Sequence, residues 1–144
     1  MRKEYKAYKK VGKLKNSIGD LLEPDFPRTV YASPGVIKHI KKRHGKQLTK
    51  KIKDNIIEIA EKIIREPDYY GISYNADGRK SIELIKKVEN IILLLGLDID
   101  VVDEYFYVAT LYPITLRKVE AKIFNKKLIN LENKSIKEKM LLCN

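Results

Sequence analysis

The chain has 144 residues, 44% of them hydrophobic and 34% charged, which suits one globular domain with its own core and excludes a disordered chain. Lys and Arg number 30 against 19 acids, a net charge of +11, so a polyanionic partner is favoured, nucleic acid ahead of an anionic membrane surface. One cysteine, Cys143, and two histidines exclude an intrachain disulfide and a zinc-finger ligand set, and the expected compartment is reducing and cytoplasmic.

Residues 1–10 alternate lysine with Tyr5 and Tyr8 and read as a basic arm, either a disordered terminus or a nucleic-acid contact. No apolar run follows, so no signal peptide is expected. Val11 to Leu14 reads as a short strand and Lys15 to Leu22 as a short helix or turn. Pro24 and Pro27 make 23–27 a loop. Thr29 to Ala32 is a short strand. Ser33 then caps a helix with Pro34 at its first position. That helix runs to His44, where Gly45 is expected to end it in the left-handed conformation.

A second helix starts near Gln47 to Thr49 and carries Ile52, Ile56, Ile59 and Ile63 on one face, widened by Ala60 and Ile64. Glu66–Pro67–Asp68 ends it. Tyr69 to Lys80 reads as a loop. Ser81 to Val88 alternates, with Ile82, Leu84 and Val88 on one parity and Glu83 and Lys87 as a surface pair on the other. Glu89–Asn90 is a tight turn. Ile91 to Leu97 is apolar throughout, a strand covered on both faces and far too short to span a bilayer. Tyr105 to Tyr112 is a third strand, ended by Pro113. Thr115 caps a last helix with Leu116, Val119 and Ile123 on one face, and the lysine-rich tail follows from Lys126.

The expected fold is α+β: N-terminal helices packed on a three- to four-stranded antiparallel β-meander, with a C-terminal helix. Residues 1–144 form a single domain, with 1–10 and 131–144 as mobile termini.

The basic helix from Pro34 to His44 carries both histidines. At about 100° per residue, Val36, Ile37, Ile40 and His44 fall in one sector of roughly 100°. His44 is therefore on the apolar side, and His39 and Arg43, four apart, share its edge. Lys38, Lys41 and Lys42 point outward. Cleaving RNA without a metal needs a base for the ribose 2′-OH, an acid for the leaving 5′-oxygen, and cationic donors for the phosphorane. Histidine suits either proton role and Arg or Lys the charge role. A histidine packed at a helix end is the competing reading for His44, and a plain surface residue for His39.

Lys86 sits on the parity of Ile82, Leu84 and Val88, where it is either a phosphate ligand or a snorkelling stem. Thr110 and Tyr112 share strand parity with Phe106 and Val108. Thr110 can bond phosphate, and Tyr112 can stack on a base, but on the residues alone ordinary strand propensity is the better explanation of Thr110. No phosphate loop, nucleophile elbow or metal-ligand helix is present, so neither metal nor cofactor is expected.

The run Val30–Tyr31–Ala32–Ser33–Pro34–Gly35–Val36–Ile37–Lys38–His39–Ile40, ending in Arg43–His44–Gly45, resembles the phage-type nucleases of the barnase–EndoU–colicin–RelE-like (BECR) superfamily. The resemblance resumes at Glu66–Pro67–Asp68–Tyr69–Tyr70–Gly71, at Ser81–Ile82–Glu83–Leu84–Ile85–Lys86, along 91–97, and at Tyr107–Val108–Ala109–Thr110–Leu111–Tyr112. It covers about residues 28–125 as a nuclease-like core. The family occurs in phages, mobile elements and toxin modules. It implies metal-independent RNA cleavage that leaves a cyclic phosphate, with His44, His39, Lys86 and Thr110 as catalytic residues. Arg43, Tyr112, Lys42 and Lys127 are then the substrate-binding residues. Lys126–Lys127–Leu128 departs from the family's Gly-Arg-Leu-like run, so the phosphate-binding arginine that the resemblance implies is either missing or replaced by Lys127.

Two readings result. One is a small endoribonuclease acting on RNA, with an inhibitor or immunity protein as a further partner. The other is a non-catalytic RNA-, DNA- or protein-binding module on the same scaffold. The discriminating geometry is whether His44, Lys86 and Thr110 converge in one cleft.

Overall fold

The computed structural model describes residues 8–15, 18, 28–74, 76–100 and 102–125, and the backbone of 129–130. In chain order its elements are β1 (Lys9–Lys13), β2 (Thr29–Ala32), α1 (Pro34–His44), a 3-10 turn (Gly45–Gln47), α2 (Lys50–Asp54), α3 (Ile56–Arg65), β3 (Tyr69–Tyr74), β4 (Lys80–Val88), β5 (Ile91–Asp100), β6 (Tyr105–Pro113), α4 (Leu116–Phe124) and β7 (Ile129–Asn130). The strands form one sheet in the order β1-β2-β6-β5-β4-β3-β7.

The α+β class stands, but the arrangement differs from the expected one. Among the described elements, β1 and β2 precede α1, so α1, α2 and α3 lie between strands. β2 runs parallel to β6 through Val30↔Phe106 and Tyr31↔Tyr107, which makes the sheet mixed. Residues 69–74, read as a loop, are β3, paired antiparallel with β4 from Tyr69↔Ile85 to Tyr74↔Lys80. Gly71 and Ser73 are weak strand formers, but cross-strand pairing with β4 overrides them. The segments read at 19–27 and beyond Asn130 lie outside the described residues.

Local chemistry explains the helix ends. Ser33 is extended and its Oγ accepts from the Val36 N–H at 3.2 Å, with Pro34 in the first turn. Gly45 does not end α1 in the left-handed region. Its φ of −56° and ψ of −34° are right-handed, and the chain tightens into the 3-10 turn instead. Thr49 caps α2, and Asn55, at φ −132°, divides the isoleucine stripe into α2 and α3.

The sheet has two unequal faces. One packs against α1, α2 and α3, where Val36, Ile40, Ile52, Ile56, Ala60, Ile63 and Ile64 meet Ile82, Leu84, Leu95, Leu97, Phe106, Val108 and Leu111. Each fully buried Ile or Leu stabilises by roughly 1.5–3 kcal/mol relative to exposure, so most of the fold's stability lies here. The second face carries a smaller cluster, Tyr69, Ile85, Leu94, Ile114 and Val119, beneath α4. α4 therefore covers only one end of that face.

Register divides the second face into three rows of cross-strand neighbours. Under α4 lie Tyr69, Ile85, Leu94 and Tyr112. Next come Gly71, Glu83, Gly96 and Thr110. Beyond them are Ser73, Ser81, Asp98 and Tyr107. Successive rows are two residues apart, about 6.8 Å along the strands. A bulge on β6 makes this possible. Gly96 pairs with Thr110 but Leu97 pairs with Val108, which leaves Ala109 as the extra residue. Simple alternation puts Thr110 and Tyr112 with Phe106 and Val108, and the bulge moves them to the opposite face.

Candidate active site

His44 is the last residue of α1 and is half-buried. Val36 and Ile40, one and two turns earlier, are buried in the core, so helical phase holds His44 inward. Its Nε2 lies 3.4 Å from Thr110 Oγ1 and its Nδ1 3.1 Å from Gln47 Oε1. The 3-10 turn after α1 carries Gln47, so the right-handed Gly45 positions this partner. With Nδ1–H donated to Gln47, the neutral ring offers Nε2 to the Thr110 hydroxyl. The protonated ring has a proton to give at that place. The ring also lies against Tyr112, centroids 5.1 Å apart and planes tilted by 30°.

Thr110 and Tyr112 line a cleft of about 230 Å³ with Glu83, Gly96, Ser81 and Asp98. Gly96 lies between Glu83 and Thr110 in the middle row and keeps its floor low. From α4, Lys122 reaches over to Glu83, Nζ to Oε1 at 2.8 Å, both largely buried. A carboxylate, a threonine hydroxyl and a phenol line the cleft, with the His44 imidazole against Thr110 and Tyr112 and the Lys122 ammonium on Glu83. Among the described residues, no three His, Cys, Asp or Glu side chains gather as metal ligands do.

Lys86 is elsewhere. It lies between Ile85 and Lys87, on the face of Leu84 and Val88, away from Thr110. Its Nζ sits 3.6 Å from Asp68 Oδ1, with side chains 13% and 9% exposed. Asp68 Oδ2 also accepts the Lys87 N–H at 3.0 Å, and the Asp68 N–H donates to the Ile85 carbonyl at 2.8 Å. Lys86 therefore helps to anchor the entry into β3. Lys86→Ala is expected to cost about 1–3 kcal/mol of stability, because it takes away a charge facing a nearly buried carboxylate. Urea unfolding measures this, and the cleft chemistry should be unaffected.

His39, Arg43 and Lys42 are exposed. His39 precedes His44 by about 7.5 Å of helix rise and points about 140° away around the axis, so the two imidazoles do not meet. Lys127 lies outside the described residues. Sequence reasoning missed Glu83, Lys122, Gly96, Ser81 and Asp98. Alternation did place Glu83 opposite the core, but Lys122, not Lys87, is the cation seated on it. Only the docking of α4 reveals that.

A family model described as phage-Barnase-EndoU-ColicinE5/D-RelE like nuclease3 matches residues 9–121. The chain belongs to this nuclease family. The match takes in β1 to β6 and most of α4, and hence Lys9 to Lys13, which precede the stretch whose resemblance was legible. No curated protein and no solved structure matches the chain.

In this nuclease two phenols of the sheet's second face have their pKa raised by their surroundings. Burial pushes the Tyr112 hydroxyl above the usual phenol range, as does the charge of Glu83, while Lys122 opposes them. Burial likewise raises Tyr107, with Asp98 adding to it. The folded chain thus holds these protons more tightly than the unfolded chain. Their contribution is fully present below pH about 10 and is lost as pH rises through the raised value, where the unfolded chain binds fewer protons. Tyr112→Phe removes its share. The stability difference between wild type and this variant should stay flat from pH about 7 to 9 and decline above about 10, read from urea unfolding. A difference that stays constant to pH about 11 contradicts this.

Proposed function

We propose that the protein is a metal-independent endoribonuclease that cleaves by attack of the ribose 2′-OH on the adjacent phosphorus. The observation that carries this is the contact of His44 with Thr110 and Tyr112, which line one cleft with Glu83, itself paired with Lys122. RNA carries its own nucleophile, so such a site needs two proton-transfer groups and donors for the phosphorane. Glu83 and Thr110 flank Gly96 in one row, with Cα atoms two strand spacings apart, about 9.5 Å. A phosphate over Gly96 fits between the Glu83 carboxylate on one side and the Thr110–His44 pair on the other.

In this reading Glu83 takes the 2′-OH proton as the O2′–P bond forms. His44, protonated, gives its proton to O5′ as the P–O5′ bond breaks. Thr110 Oγ–H and Lys122 donate to the non-bridging oxygens. The products are a 2′,3′-cyclic phosphate and a 5′-hydroxyl. Lys38, Lys41, Lys42 and Arg43, exposed along α1, track the flanking phosphates, which makes binding salt-sensitive.

End-labelled RNA incubated with the purified protein in EDTA tests the reading. Cleavage with cyclic phosphate and 5′-hydroxyl ends is expected. RNA left whole, or single-stranded DNA cut equally well, overturns it. The exposed basic face of α1 also supports the non-catalytic binding module, which retains RNA in a salt-sensitive way, leaves it whole, and is indifferent to His44.

A further inference from the structure

His44 stands at a joint in the chain. Its backbone, at φ −121° and ψ 2°, is where α1 gives way to the 3-10 turn Gly45–Gln47. In such a turn the side chains of residues three apart eclipse, so Gln47 is carried alongside the imidazole. The turn is pinned from below. Gly45 and Leu48 are buried, and the Leu48 N–H donates to the Gly45 carbonyl at 3.4 Å. Gln47 itself is exposed, with its amide oxygen 3.1 Å from His44 Nδ1.

We propose that Gln47 is a positioning residue. It holds the His44 ring with a proton on Nδ1, so that the acid proton of the cleavage step is carried on Nε2, the nitrogen that faces Thr110. The inference rests on the ribonuclease reading of the cleft and names what orients its acid.

Two other neighbours of the ring leave the choice of tautomer to Gln47. Tyr112 lies against the face of the imidazole, whereas the ring nitrogens make their bonds in its plane. Thr110 stands at Nε2, 3.4 Å away. A hydroxyl donates or accepts, so Thr110 suits either tautomer. An amide can present either end, and here the oxygen faces Nδ1. The reaction favours that end. The protonated ring is a donor at both nitrogens. An amide oxygen at Nδ1 bonds the charged ring, where an amide N–H would face another N–H.

The bond also survives the proton transfer. As the acid acts, the Nε2–H bond breaks, its electron pair stays on Nε2, and the proton passes to O5′. The neutral ring left behind is the Nδ1–H tautomer, with its bond to Gln47 intact. Nothing at Nδ1 has to turn during the step, which is what preorganisation means here. A ring flip would take Nδ1 off Gln47 and Nε2 off Thr110 together, so the same bond fixes the direction of the acid.

Gln47→Leu tests this at an exposed position. It removes the acceptor and keeps most of the side chain's length. Long-range proton–nitrogen NMR spectra of the full chain, taken where the ring is neutral, report which nitrogen carries the proton. Wild type is expected to show Nδ1–H. Gln47→Leu should show the Nε2–H form that a free imidazole side chain favours, and Gln47→Glu, which keeps an acceptor, should return to Nδ1–H. A wild-type ring with its proton on Nε2 overturns the proposal. So does a Gln47→Leu ring still protonated on Nδ1, which water in place of the amide would give. This arm needs no cleavage. A tautomer set by Gln47 in a protein that leaves RNA whole costs the ribonuclease reading and not the bond.

Two substrates then separate a misdirected acid from general damage. A uridine–adenosine dinucleotide expels an alkoxide and needs the acid. Uridine 3′-(4-nitrophenyl phosphate) expels a stable phenolate and does not. Gln47→Leu is expected to lose on the order of tenfold to a hundredfold in kcat on the dinucleotide, and about tenfold less than that on the aryl ester. Equal losses on both substrates, which a merely structural Gln47 gives, or no loss on the dinucleotide, overturn the positioning role.

Discussion

His44→Ala is expected to lower the rate of RNA cleavage by on the order of 10²–10⁴ while the protein stays folded. The rate effect follows from position. His44 is the imidazole that meets Thr110 and Tyr112, and without it no imidazole among the described residues stands beside Thr110. The stability effect is small because the ring is only half-buried. Losing its bonds to Gln47 and Thr110 costs about 1 kcal/mol, a few degrees of Tm. Single-turnover cleavage and thermal unfolding, run on the same preparations, separate the two. His39→Ala is the matched control, an exposed histidine on the same helix, and is expected to change the rate by less than about threefold. Full activity in His44→Ala, or a larger loss in His39→Ala, removes the assigned role. Added imidazole should restore part of the rate to His44→Ala, because the truncated side chain leaves room beside Tyr112.

Much of α1 was legible in the sequence. Ser33 and Pro34 fix where the helix starts, and a 3.6-residue period from the buried Val36 and Ile40 fixes which way His44 faces. The apolar strand at 91–97 and the cap at Thr115 were legible for equally local reasons. The sheet was less so. β3 contains Gly71 and Ser73, and its pairing with β4 and β7 outweighs their low propensity. The parallel contact of β2 with β6 joins segments more than 70 residues apart, and no local pattern encodes it.

The site depended on two features of this non-local kind. Alternation put Lys86 and Thr110 on comparable footing, each sharing parity with core residues. The Ala109 bulge shifts the phase of β6 and moves Thr110 to the other face, while Lys86 stays on its own. A single extra residue in a ladder has no compositional mark when the residue is alanine. The docking of α4 then sets Lys122 on Glu83, which makes a catalytic candidate of a carboxylate that reads in sequence as surface. The convergence of His44, Lys86 and Thr110 in one cleft is thus not found: His44 meets Thr110, Lys86 lies on the other face with Asp68, and Lys122 is the cation on Glu83.

Gly96→Ala puts the bulge and the cleft floor under a single test. A Cβ at Gly96 would stand 2.9 Å from Thr110 Cγ2, closer than carbon atoms approach, so something must shift. Thr110 is β-branched and has few alternative χ1 positions, and its strand is held by pairing with β5 on one side of the bulge and the other. The added methyl therefore pushes Thr110 away from His44. Overpacking of this kind costs about 1–3 kcal/mol, and misplacing a reacting group by about 1 Å costs on the order of 10²-fold in rate. The second change that distinguishes displacement from general damage is Thr110→Ser, which deletes Cγ2 and keeps the hydroxyl. In the Gly96→Ala background it is expected to restore both stability and rate to within roughly tenfold of wild type, a coupling that two independent lesions do not show. Rates that multiply, with the double variant slower than either single one, leave no role for the Gly96–Thr110 contact in holding the hydroxyl to the imidazole.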